Sequence, residues 1–125
     1  MLILTHYITQ HELKPLRRYF ELSDIFEGAE KVLKGLAIET KPPKTLEGFK
    51  FFKVRIGRKV KGRMIVFMVT ESKQVVPILI RLKKDKVFGM NMAMNNLEVI
   101  KQINSNLEYV LNDIQKKKYE AFSLN

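Results

Sequence analysis

The sequence predicts an α+β domain, helices packed on a small antiparallel sheet in the order β-α-α-β-β-β-α. Three observations carry that expectation. Residues 50–56, 63–70 and 75–82 are rich in β-branched and aromatic side chains and are joined by the short stretches GRKVKG and ESKQ. On both sides of this block the apolar period lengthens to three or four residues, the spacing of helices. At 125 residues the chain fits one domain, taken as 1–125, and its 46% hydrophobic content is enough for a sizeable core.

The elements follow in order. LILTHYIT (2–9) has the composition of a first strand. TQHELKPLRRYF places Leu13, Leu16 and Phe20 at helical spacing, and Pro15 requires that this helix start near Lys14 or kink there. SDIFEGAEKVLKGLA (23–37) is a second helix, with Ser23 or Asp24 as cap, Glu27 as its capping-box partner, and a stripe of Ile25, Ala29, Val32, Leu33 and Leu36. Pro42 and Pro43 end anything helical.

In the first strand of the meander Phe52, Val54 and Ile56 share one face, and Phe51, Lys53 and Arg55 the other. RMIVFMVT is apolar on both faces, as a central strand covered from both sides would be. VVPILIRL is similar, but Pro77 calls for an edge position or a bulge. From about Met94 a helical stripe of Leu97, Ile100, Ile103, Leu107, Val110, Leu111 and Ile114 predicts a C-terminal helix, and the tail KKKYEAFSLN is expected to fray.

The net charge of +10 points to a polyanionic partner such as nucleic acid, an acidic membrane face or an acidic protein. With no cysteine, disulfides, thiolate metal sites and cysteine nucleophiles are excluded. No stretch approaches the ~18 apolar residues that read as a membrane span, and the N-terminus has no basic region or cleavage site, so a cytoplasmic location is expected. His6 and His11 have no second ligand at metal spacing, and no glycine-rich phosphate loop is present.

Hairpin geometry gathers the cations. With ESKQ as the turn, Arg63 falls opposite Leu82, beside Arg81 and Lys83, and with GRKVKG as the other turn Arg55 falls close to Arg63. One sheet end then collects Arg55, Arg58, Lys59, Lys61, Arg63, Arg81, Lys83, Lys84 and Lys86, offset only by Asp85. Like charges on facing strand positions are destabilising, so such an end makes sense if a polyanion neutralises it. Lys53 and Arg55, two residues apart, point the same way and suit the gripping of successive phosphates. The plainer alternative is a solvated turn with charges that block edge-to-edge pairing.

TLEGFKFFKVRI, then KGRMIVFMV, a hairpin into VVPILIRL, and KKDKVFGMN together resemble the RelE/ParE superfamily of toxins from toxin–antitoxin systems. The likeness spans roughly residues 5–90. It implies a compact toxin held inactive by a cognate antitoxin protein, acting either as a ribosome-dependent endonuclease on mRNA or, in ParE-like members, as a DNA gyrase poison. A non-catalytic basic module that binds nucleic acid or a partner is the remaining alternative. Carried over, Lys53 and Arg55 match the paired basic positions of the RelE-like strand, and Arg63 the arginine that contacts the scissile phosphate. Lys83, Lys84 or Lys86 would fill the basic position after the last strand.

Cleavage by a 2′-hydroxyl on its own phosphate needs no metal and no cofactor, only a base, an acid and cations around the developing charge. Phe88 stands where RelE-like enzymes often place a tyrosine. Lys53 is therefore the candidate base, its pKa lowered by neighbouring cations, with Lys84 or Lys86 as acid and Arg55 and Arg63 as charge stabilisers. Arg58, Lys59, Lys61, Arg81 and Lys83 are the candidate nucleic-acid contacts.

Overall fold

The computed structural model describes residues 1–42, 47–86, 88 and 96–124. The chain is α+β, with helices on an open, mostly antiparallel six-stranded sheet whose strand order is β2-β3-β4-β5-β1-β6. β1 (Leu2–Thr5) runs parallel to β5, and every other neighbouring pair is antiparallel. The expected meander is present as β3 (Phe49–Ile56), β4 (Gly62–Val69) and β5 (Val75–Leu82). Two further strands correct the expected order. β2 (Ile38–Thr40) adds an edge beyond β3, and β6 (Tyr119–Phe122) pairs with β1 where a frayed tail was expected.

The first strand stops at Thr5 instead of 9 because that threonine caps a helix, its Oγ1 accepting the Ile8 N–H at 3.4 Å. The helix starts as α1 (His6–Ile8), widens into a π-helical turn at Thr9–Leu13 and tightens into a 3-10 turn at Lys14–Leu16. Pro15 explains the irregularity, since its nitrogen carries no hydrogen and its ring crowds the carbonyl four residues back. α2 (Leu22–Leu33) is capped two residues earlier than expected. Glu21 is the N-cap, and its N–H donates to the Asp24 carboxylate at 2.8 Å. It ends in a reciprocal pair of bonds, Gly35 N–H to Val32 at 3.2 Å and Leu36 N–H to Lys31 at 2.8 Å. Gly35 adopts φ +74°, the left-handed conformation that this ending requires. The chain turns there, so Leu36 is exposed instead of closing the helix stripe.

β4 is buried from Gly62 to Met68 and needs cover on both faces. α2 supplies one cover, with Gly28 set against Val54, Ile56 and Met64 closely enough that a Cβ would lie 2.8 Å from the nearest of their atoms. α3 (Leu97–Gln115) packs along β5 and β1 through Val99, Ile103, Leu107 and Val110. Its expected start near Met94 lies outside the described residues, and Leu97, expected in the stripe, is exposed.

Pro77 sits beside a bulge. β4 and β5 change register between Ile65 and Val66, which face Leu79 and Pro77 and leave Ile78 as the extra residue. Next to the turn Met68, and not the expected Thr70, faces Val75, a shift of two positions; the bulge takes back one of them, so Arg63 faces Arg81 instead of the expected Leu82, and Gly62 faces Leu82.

Candidate nucleic-acid interface

The register sets three arginines in one row. Arg55 on β3 faces Arg63 on β4, which faces Arg81 on β5, and directly opposed residues share a face of the sheet. Three guanidiniums on adjacent strands, about 4.8 Å apart, repel one another unless something intervenes. The row resolves into two different environments.

At its β5 end the charge is neutralised from within. Glu12, 3% exposed, pairs with Arg81, whose guanidinium also donates to the Ile80 carbonyl at 3.1 Å and lies 4.7 Å from the Phe88 ring centre. The same Glu12 carboxylate accepts the Ile80 N–H at 2.7 Å. β1 ends at Thr5 and pairs with β5 near Val75, so among the described residues the part of that β5 edge beyond it has no strand partner. Side chains replace it, Glu12 at the Ile80 N–H and Asn106 Nδ2 donating to the Ile78 carbonyl at 2.7 Å.

At its β3–β4 end the row opens into a recess of about 210 Å³ lined by Ile38, Lys53, Val54, Arg55 and Arg63. β2 forms one wall, since Ile38 faces Lys53 across the strand pair. Arg55 is exposed, Lys53 half-buried, and Arg63 keeps only 9% of its surface. Burial, and after it the charge of Arg63, hold the Lys53 ammonium below the ordinary lysine range. Neighbouring charge was the cause expected from the sequence; burial is the larger one. None of the described residues that line the recess carries a carboxylate.

The other sequence-derived residues lie apart from it. Arg58 is paired with Glu27, the residue expected as the capping-box partner of α2, on an exposed surface. Lys59 and Lys61 are exposed in the β3–β4 turn. Lys83, Lys84 and Lys86 are exposed on the turn after β5, with Lys84 Nζ 5.4 Å from the Tyr19 ring centre. Asp85 is therefore not the sole offset at this sheet end, because Glu12 and Glu27 counter Arg81 and Arg58. Sequence reading had no means of pairing Glu12 with a strand 69 positions away. The one hint was an acid flanked by Ile8 and Leu13, in a segment that must bury one side.

Among the described residues no group of three or more His, Cys, Asp or Glu is placed to hold a metal ion, and no helix is long and apolar enough to cross a membrane. No family model, curated protein or solved structure matches the chain.

Proposed function

We propose that the chain acts on RNA, binding a phosphodiester in the β3–β4 recess and promoting its cleavage by the adjacent 2′-hydroxyl. One observation carries this reading: Lys53, Arg55 and Arg63 line a single concave site in which burial and Arg63 hold the lysine below its ordinary pKa range. Arg63, held by the sheet, and Arg55, at the mouth, match the in-plane oxygens of a phosphate and stabilise the charge that grows on them. The Lys53 amine takes the 2′-hydroxyl proton and the 2′-oxygen attacks phosphorus. The 5′-oxygen leaves with a proton drawn from solvent at the open mouth. The products are a 2′,3′-cyclic phosphate and a 5′-hydroxyl. Lys84 and Lys86 stand outside the recess, on the turn after β5, and hold the strand electrostatically.

With the motifs described above, this becomes a RelE-like toxin that cuts mRNA on the ribosome and is silenced by an antitoxin. Leu36 and Ile38, 70% and 68% exposed beside the recess, suit the antitoxin: a strand added to the β2 edge would cover both and close off Lys53.

The test is primer extension on an mRNA under translation in a reconstituted system. Wild-type protein is expected to leave ribosome-dependent cuts. Lys53→Arg keeps the charge but not the ability to accept a proton, and should bind without cutting. Translation that proceeds uncut with wild-type protein would sink the proposal.

A further inference from the structure

We infer that the face of α3 bearing Tyr109 is a second contact for single-stranded RNA, a platform on which one base stacks; the inference rests on the RNA reading of the recess. Tyr7 stacks on His11 at 4.4 Å between ring centres and on Tyr109 at 4.5 Å, the two tyrosine planes within 1° of parallel. Tyr7 thus lies between the other two rings. Tyr109 keeps 52% of its surface exposed although one of its ring faces is covered by Tyr7. That exposure is left on the sides of the residue that Tyr7 does not cover.

The platform is built before any ligand arrives. Tyr7 Oη donates to Asn106 Oδ1 at 3.3 Å and Gln102 Nε2 donates to the same oxygen at 2.8 Å, while Asn106 is anchored on the Ile78 carbonyl of β5. A fixed ring loses little freedom on binding, which favours affinity.

The surroundings suit a nucleotide. Ser105, Asn112 and Lys116 lie four residues before, three after and seven after Tyr109, on the same side of the helix. A recess of about 540 Å³ beside the ring includes Ser105, Asn112 and Gln115, whose hydroxyl and amides can meet a base edge, together with Glu108. Lys116, Lys117 and Lys118 are exposed just beyond and attract the phosphate, while Glu108 repels it, so the backbone is steered toward the lysine end. An exposed ring selects unpaired bases, since duplex bases already stack on one another. The two sites are also linked. Tyr7 feels the charges of both Glu12 and Arg81, and Arg81 ends the row that begins at Arg55 in the recess.

The experiment is fluorescence anisotropy with the full chain and a labelled, unstructured oligoribonucleotide of about eight residues, within the usual footprint of such sites, beside an abasic strand of the same length. Tyr109→Ala is expected to weaken binding of the base-bearing strand by about tenfold, in the range measured for one stacked base. It should leave the abasic strand unchanged, and Tyr109→Phe, which keeps the ring, should retain affinity for both. Arg55→Ala should weaken both strands alike. If Tyr109→Ala binds the base-bearing strand as wild type does while Arg55→Ala does not, the platform is refuted and the recess stands. If wild-type protein binds neither strand, both fall. Should Tyr109→Ala not fold, the exposed Lys116→Glu decides, since a platform requires that it weaken both strands and unchanged affinity refutes it.

Discussion

Replacing Glu12 by alanine removes two interactions at once. The Ile80 N–H, bonded at 2.7 Å, loses its acceptor, and Arg81 loses its counter-charge. Breaking a buried ion pair by deleting one partner costs about 3–5 kcal/mol, and an orphaned buried amide about 1–3 kcal/mol. The two figures overlap, because each includes desolvation left uncompensated. The Arg81 side chain retains 19% exposure and can turn toward water. The lower end applies, about 3 kcal/mol, a large part of the roughly 5–15 kcal/mol that stabilises a domain. Glu12→Gln keeps an oxygen for the Ile80 amide and loses only the charge, so about half that loss is expected, roughly 1.5 kcal/mol. Urea unfolding followed by far-ultraviolet circular dichroism measures both. With a slope of about 2 kcal/mol per molar urea, the alanine variant should unfold about 1.5 M earlier. Adding Arg81→Leu to Glu12→Leu should recover part of the loss, since no uncompensated charge then stays buried. An alanine variant within about 0.5 kcal/mol of wild type, the scatter of ordinary surface changes, would refute the role given to Glu12.

Three further outcomes follow from the same structure. Gly57→Ala should destabilise the β3–β4 turn by at least about 2 kcal/mol in chemical denaturation, because Gly57 holds φ +93° and a Cβ there would lie 2.0 Å from the Val60 carbonyl oxygen. Deleting residues 119–125 should lower the melting temperature and speed amide exchange in β1, whose residues 2–5 pair with β6; an unchanged melting temperature would restore the picture of a frayed tail. Lys53 loses its proton more readily folded than unfolded, so the unfolded state binds more protons between the lowered value and the ordinary lysine range, and stability rises with pH across that window. Tyr7, raised by burial and then by the Glu12 charge, acts in the opposite sense above the ordinary tyrosine range. Subtracting the pH profile of Lys53→Met from that of wild type therefore isolates the lysine, and a flat difference would contradict its placement.

The candidate site was legible in part. Lys53 and Arg55 could be placed on one strand face because alternation is a property of the strand itself, and the Arg55–Arg63 pairing followed from a short hairpin. Arg81 could not be assigned its role, because the bulge at Ile78 and the Glu12 carboxylate that holds it depend on packing between distant segments. The aromatic stack was equally hidden. Tyr7 stood inside an expected strand, and Tyr109 lies 102 positions beyond it, outside the apolar stripe of α3. Asn106 did leave a trace, as a polar residue one position before Leu107 in that stripe, where it is fully buried on β5.

By itself the sequence determined the fold class, the three-stranded meander and the basic character of one sheet end. These rest on local periodicity, short turns and composition, which act between near neighbours. Tertiary structure alone decided that Ile38–Thr40 and Tyr119–Phe122 become strands, for segments of three and four residues carry too little pattern to act alone and form only against β3 and β1. It also decided the surroundings of individual cations. Glu12 and Glu27 neutralise Arg81 and Arg58, while burial beside Arg63 weakens the Lys53 ammonium. A charge's surroundings are set by whichever segments fold against it, and in this chain those segments come from far along the sequence.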